Sequence, residues 1–262
     1  MDIVRDSPDE KHCIDYMESM CWPEGVRCVT GVRIMIPPLF FRISGVACIL
    51  GGVLIPIFFI IHPGGQEPAT SAVVLATHYA AIHTLAVIGY IAVSFGFVGA
   101  FIYQADLMNV LATAGMLLGF AGSTMLVGTF MHDGYDNPYM ATIVSGVDLN
   151  GHEGGLERSL DMGIAIGVAG VLFIIGFVVF GIATIRAAVF PRWCGALLIV
   201  GTIITDLPPP PDTRLLHVLT GHPAMLPWAL LDFGATTLGI GLIGLGSTML
   251  CNPQRIATAH QT

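Results

Sequence analysis

Six long apolar stretches separated by polar segments dominate the hydrophobic pattern of the chain. A helix needs about 20 mostly apolar residues to cross roughly 30 Å of hydrocarbon, because lipid offers no partner to an unpaired backbone group. The predicted spans are about Ile36–Ile61, Ser71–Tyr103, Met108–Met131, Asp161–Ala188, Arg192–Leu207 and Leu226–Cys251. The pattern therefore predicts an all-α fold, a polytopic transmembrane helical bundle of about six spans.

The fifth predicted span is the shortest. It ends in DLPPPPD, Asp206 to Asp212, where consecutive prolines lack amide donors and exclude a helix. We expect this span to be short, to be completed by residues around 215–219, or to be re-entrant.

Composition agrees with a membrane protein, because only 11% of the residues are charged and an average soluble domain has about 25%. The formal net charge is −8, but the distribution of Lys and Arg is what sets orientation. With both termini in the cytoplasm, every basic residue except Arg158 and Arg214 lies on the cytoplasmic side. Both termini are therefore predicted to be cytoplasmic.

This orientation predicts three regions. Residues 1–33 form a polar cytoplasmic tail, residues 34–251 form the transmembrane domain, and residues 252–262 form a second cytoplasmic tail. The outer loops are expected near 62–70, 132–160 and 206–225. No outer loop holds a pair of cysteines, so a disulfide framework is not expected.

Glycines recur along two of the predicted spans. Such small residues let helices approach closely in a membrane. We expect them to form packing faces, at Gly163, Gly167 and Gly170 in the fourth span, and at Gly234, Gly239, Gly241, Gly244 and Gly246 in the sixth.

Two segments of the bundle carry a family resemblance. GFVGAFIYQADLMNVLATAGMLLGFAGSTML and the later VFPRWCGALLIVG resemble a loose group of uncharacterised bacterial six-helix membrane proteins. The resemblance covers residues from about 36 to 250. It implies a multi-pass protein of the bacterial cytoplasmic (inner) membrane and does not imply a chemistry.

The N-terminal tail carries a different resemblance. YMESMCWPEGVRC, Tyr16 to Cys28, resembles the N-terminal zinc-ribbon segment of an insertion-sequence transposase family, in which a Cys-Pro-x-Cys knuckle follows. Here Cys28 is followed by Val29, Thr30 and Gly31, so the second knuckle cysteine is absent. A structural zinc site needs four ligands, and this degenerate segment does not supply them.

Two histidines, His78 and His83, lie in the second predicted span. A span that begins near Ser71 places both deep in the membrane, where a polar side chain faces a cavity, a partner or a cofactor. Five residues turn a helix by about 140°, so the two imidazoles point to different faces. The face of His83 also carries Tyr79 and Tyr90.

Three interpretations of these histidines stay open. His83 or His78, with Tyr79 and Tyr90, would bind haem or a chlorophyll-type pigment. His78 and Asp232, at similar predicted depth, would instead form a proton or ion path. Interhelical hydrogen bonds without any ligand would also account for both histidines.

Imidazole, carboxylate and thioether groups gather in the predicted outer loops. MHDGYDNPYM holds His132 and Asp133, and HVLTGH holds His217 and His222. Such groups could coordinate copper or zinc, although no spacing here is a known metal signature. His62 and His152 also fall in or beside the outer loops.

The sequence therefore predicts an integral membrane subunit of a larger respiratory or photosynthetic complex that acts in electron transport. The alternatives are a small proton-coupled or metal-handling transporter and a structural membrane protein without ligand. The expected partners are membrane lipid and other membrane subunits. No hydrolase motif is present, and the scattered basic residues do not indicate nucleic-acid binding.

Overall fold

The computed structural model describes residues 37–62, 74–75, 78–107, 109–143, 160–206 and 225–252. Within these ranges the chain is helical and has no β-strand. The chain divides into two units, Met1–Phe40 and Phe41–Thr262. The helix packing and the site described below belong to the second unit.

Seven α-helices occur in the described residues. Their bounds are α1 Pro38–Ile61, α2 Tyr79–Tyr103, α3 Val110–Met131, α4 Asn137–Ile143, α5 Leu160–Ala187, α6 Arg192–Asp206 and α7 Met225–Cys251. A 3₁₀ turn, Ala105–Leu107, follows α2, and a π-helical segment, His132–Asp136, joins α3 to α4. Among the described residues, five helical stretches are long and apolar enough to cross a membrane, and α6 is a shorter apolar helix.

The predicted spans match most of these helices closely. Agreement is within two residues at both ends of the first, fourth, fifth and sixth spans and at the start of the third, as the bounds of α1, α3, α5, α6 and α7 show. The short fifth span corresponds to α6, which has 15 residues and is about 22 Å long at 1.5 Å per residue.

Two predicted boundaries are wrong. The continuous second helix begins at Tyr79 rather than near Ser71, because His78 has φ −76° and ψ 50°, which is not a helical conformation. The third helical stretch does not end at Met131: it continues through the π-helical segment and α4 to Ile143. The first part of the predicted 132–160 loop is therefore helical.

Glycines form the close contacts between neighbouring helices. A β-carbon added to Gly45 of α1 would lie 2.8 Å from the carbonyl oxygen of Gly246 in α7, and one added to Gly52 would lie 2.6 Å from that of Gly239. Since real β-carbons do not approach so closely, α1 and α7 pack backbone against backbone. The prediction is confirmed for all five glycines of α7 and is wrong for Gly167 and Gly170, where an added β-carbon meets nothing.

Antiparallel neighbours bring alternate helix ends together. At the end opposite to the site described below, the Tyr103 hydroxyl at the end of α2 donates to the carbonyl oxygen of Asn252, 2.8 Å away, just after α7. Beside it, the Gln104 amide donates to Thr184 Oγ1 of α5 at 3.0 Å. The ends of α2, α5 and α7 therefore lie together, and the start of α2 lies at the opposite end.

Candidate metal centre

Three imidazole and carboxylate side chains meet where α1 ends, α2 begins and α3 passes into the π-helical segment. His62 directly follows the last residue of α1, His83 lies one turn inside α2, and Asp133 is the second residue of the π-helical segment. The antiparallel arrangement places these chain positions, which are far apart in sequence, at one end of the bundle.

The ligand atoms of these residues are spaced as around a metal ion. Nε2 of His62 lies 3.3 Å from Nε2 of His83, and Nε2 of His83 lies 3.0 Å from Oδ2 of Asp133. All three lie within 4.8 Å of one another. Metal bonds of 2.0–2.1 Å place neighbouring ligand atoms about 2.8–3.4 Å apart, from octahedral to tetrahedral angles. His62, His83 and Asp133 are therefore a candidate metal centre.

The backbone determines which nitrogen of His83 faces the centre. Nδ1 of His83 lies 2.9 Å from the carbonyl oxygen of Tyr79. Since a carbonyl only accepts, Nδ1 carries a hydrogen, and in a neutral imidazole Nε2 then presents a lone pair. That lone pair would face the Asp133 carboxylate, which also only accepts. A positive charge between them, either a proton on Nε2 or a metal ion, removes this conflict.

Asp133 is oriented by hydrogen bonds to its other oxygen. Oδ1 accepts from the hydroxyl of Tyr79, 3.2 Å away, and from the side-chain amide of Asn137, one turn further along the chain. Oδ2 is left to face His83. Carboxylates that bind metals are held by such additional hydrogen bonds.

His62 completes the centre from the end of α1. Its ring packs edge-on against Phe58 and contacts the rings of Tyr79 and His83. Burial, and to a smaller extent the charge of His83, lowers the pKa of His62 to about 4, against the opposing attraction of Asp133. Near neutral pH the His62 imidazole is therefore uncharged, which is the form that binds a metal.

Aromatic rings surround His83 on the side of the bundle interior. Phe58 lies edge-on at 5.3 Å between ring centroids, and Tyr79 lies at 4.2 Å. Phe58 also packs against Phe130, which in turn stacks on Tyr90. Gly134 closes the remaining space, because a β-carbon there would overlap Cβ of His83.

The sequence-predicted residues have different outcomes here. The structure brings His83, Tyr79 and Asp133 together. Tyr90 is buried among Phe130 and Phe173 instead. His83 lies one turn after the start of α2.

His78 and Asp232 are not joined as the ion-path interpretation requires. His78 is exposed at the start of α2. Within the described ranges, no hydrogen bond or ion pair connects it to Asp232, and the buried Oδ1 atom of Asp232 has no hydrogen-bond partner there.

The predicted loop ligands are also separated. His132 pairs with Asp136 on the exposed side of the π-helical segment, with Nδ1 2.5 Å from Oδ2, instead of turning toward Asp133. Next to this pair, the Tyr135 hydroxyl lies 2.7 Å from Thr84 Oγ1. His217 and His222 lie outside the described residues.

His62 and Asn137 belong to the centre without being predicted as ligands or supporting residues from the sequence. His62 lies at the outer edge of the first predicted span, and that position is the available signal, because the ends of the first and third spans and the start of the second share one membrane face. Asn137 gave a weaker signal through its four-residue spacing from Asp133. Comparisons with known protein families, characterised proteins and solved structures found no match to this chain.

Proposed function

We propose that this chain is a multi-pass membrane protein that binds one divalent transition-metal ion through His62, His83 and Asp133. The observation that carries the proposal is the convergence of three ligand atoms within 4.8 Å of one another, drawn from three different helix ends. The five long apolar helical stretches support the membrane part of the proposal.

The chemistry of the donors favours a particular class of ion. Mg²⁺ and Ca²⁺ take oxygen ligands, whereas two imidazole nitrogens with one carboxylate oxygen suit zinc, copper or iron. The surrounding hydrogen bonds support the same class, because metal-binding histidines usually donate their second ring N–H to a carbonyl or carboxylate. His83 does so to Tyr79.

We propose that the ion is a resident one and remains at this end of the bundle. Phe58, Phe130 and Tyr90 fill the region next to His83 on the interior side, where a transport path would need polar groups or water. If both termini are cytoplasmic, as the distribution of basic residues predicts, the centre faces the outer side of the membrane.

Proton-coupled metal movement is a second candidate function. The observation that favours it is Asp232 in α7, whose Oδ1 atom is buried without a hydrogen-bond partner among the described residues. Intramembrane carboxyls of this kind serve as proton sites in transporters. In reconstituted vesicles, Asp232→Asn would then abolish metal uptake while leaving metal affinity unchanged.

The predicted haem or pigment ligation by His83 has no support in this geometry. Nε2 of His83, the atom that would bind a macrocycle, faces Asp133 at 3.0 Å and His62 at 3.3 Å. Phe58 and Tyr79 occupy the space next to its ring. A Soret or long-wavelength pigment band that disappears in His83→Ala would restore that prediction.

Metal titration of the full-length protein in mild detergent tests the proposed function. Bound metal is first removed with a chelator, and Zn²⁺ is then added to the protein. After desalting, elemental analysis should show one Zn²⁺ retained per chain. His83→Ala should lose this binding, whereas the matched variant His78→Ala, which changes an exposed histidine on the same chain segment, should keep it. Equal zinc retention by both variants would overturn the proposal.

A further inference from the structure

We infer that the metal centre keeps an exchangeable coordination position that binds water or a small anion. The inference rests on the proposed metal site and adds to it the class of ligand that the site would receive. Its basis is the number of protein ligands, which is three among the described residues, and the engagement of the polar groups around them.

The described residues supply three ligand atoms to the ion that they would hold, from His62, His83 and Asp133. In metal sites with two histidines and one carboxylate, the remaining coordination positions are open to water or substrate. Zinc sites with three protein ligands likewise keep the fourth position for water or substrate.

The neighbouring polar side chains in the described ranges already have other partners. The Tyr79 hydroxyl and the Asn137 amide both donate to Oδ1 of Asp133. The Tyr135 hydroxyl is paired with Thr84. These hydroxyl and amide groups are therefore already used in hydrogen bonds within the protein.

The position is reached from the end of the bundle. The side chain of His83 is completely buried, whereas His62 and Asp133 are both partly exposed. A ligand therefore reaches the ion past His62 and Asp133. Because the rings of Phe58 and Tyr79 pack against the two histidines, we expect a small ligand such as water, hydroxide or a linear anion.

Replacement of the metal with Co²⁺ tests this inference, because its visible absorption bands change with the number and type of ligands. The full-length protein in detergent is loaded with Co²⁺, desalted and titrated with azide. We expect a saturable change of the Co²⁺ bands, with the cobalt content unchanged after a second desalting step. His132→Ala should behave in the same way, since His132 pairs with Asp136 outside the centre.

The outcomes separate the inference from the proposed function. Bound Co²⁺ whose spectrum does not respond to azide would overturn the open position and leave the metal site intact. Failure to bind Co²⁺ at all would overturn the metal site and the inference with it. A spectral change that is lost together with cobalt on desalting would show that azide removes the metal, which also contradicts an exchangeable position.

Discussion

Nδ1 of His83 donates a hydrogen bond to the backbone carbonyl oxygen of Tyr79, 2.9 Å away and one turn earlier in α2. This hydrogen bond directs Nε2 toward His62 and Asp133. The same tyrosine orients the carboxylate through its hydroxyl, which lies 3.2 Å from Oδ1 of Asp133. Tyr79 therefore positions two of the three proposed ligands, one through its backbone and one through its side chain.

The double role of Tyr79 can be separated by mutation. Tyr79→Phe removes the hydroxyl and keeps the carbonyl, so the orientation of His83 is retained while Oδ1 of Asp133 loses one of its two hydrogen bonds. Loss of such supporting groups typically lowers metal affinity by about 10–100-fold, and we expect a decrease in that range in a competition titration with a fluorescent chelator. Tyr135→Phe is the control, because Tyr135 contacts Thr84 and not the centre. Equal affinities in the two variants would contradict this role.

The absence of a side chain at position 134 is required by the contact with His83. In Gly134→Ala the new methyl group would overlap Cβ of His83, so the π-helical segment or the imidazole must move. Overpacking of this kind costs about 1–3 kcal/mol. We expect a lower thermal unfolding midpoint in detergent and weaker zinc binding.

Gly128→Ala provides the matched control for Gly134→Ala. A β-carbon on Gly128 meets no other atom, and alanine is the better helix former by about 0.8–1.0 kcal/mol. Its midpoint should equal or exceed that of the native protein, with unchanged zinc affinity. A similar loss in both variants would show that the effect of Gly134→Ala is not specific to His83.

The helices could be predicted from the sequence because each apolar stretch must satisfy its own backbone groups in lipid. The start of α2 could not be predicted in this way. Residues 71–78 continue the apolar pattern of the predicted span, but His78 takes a non-helical conformation. The continuation of α3 through His132 to Ile143 was missed for the opposite reason: its polar residues HDGYDN are typical of a loop.

The candidate centre was only partly predictable. His83 stood out because polar residues in apolar stretches are costly, and Asp133 stood out because of its polar neighbours. Their meeting depends on helix neighbours and on the rotation that the π-helical segment gives to Asp133, and neither follows from spacing along one chain segment. His132 was grouped with Asp133 in sequence, but it points away and pairs with Asp136.

Metal binding should stabilise the native fold. A ligand that binds only the folded state at 100 times its dissociation constant adds about 2.7 kcal/mol. We therefore expect Zn²⁺ to raise the thermal unfolding midpoint of the full-length protein in detergent, and Mg²⁺ at the same concentration to have little effect. Asp133→Asn keeps the size of the side chain but weakens the ligand, and it should remove most of the zinc effect. An equal increase with Mg²⁺ would indicate a general effect of divalent ions.

The packing of α3 against α5 depends on glycine at the point where the two backbones are closest. A β-carbon on Gly176 would overlap the backbone of Gly119, whereas one on Gly170, six residues earlier in α5, meets nothing within 4 Å. Gly176→Leu should therefore separate the helices and lower the unfolding midpoint strongly, because close approach of small residues is what holds membrane helices together. Gly170→Leu adds the same side chain to the same helix and should leave the midpoint nearly unchanged. Since α3 leads directly into the π-helical segment that holds Asp133, Gly176→Leu should also weaken zinc binding. Similar midpoints for the two leucine variants would contradict this packing of α3 on α5.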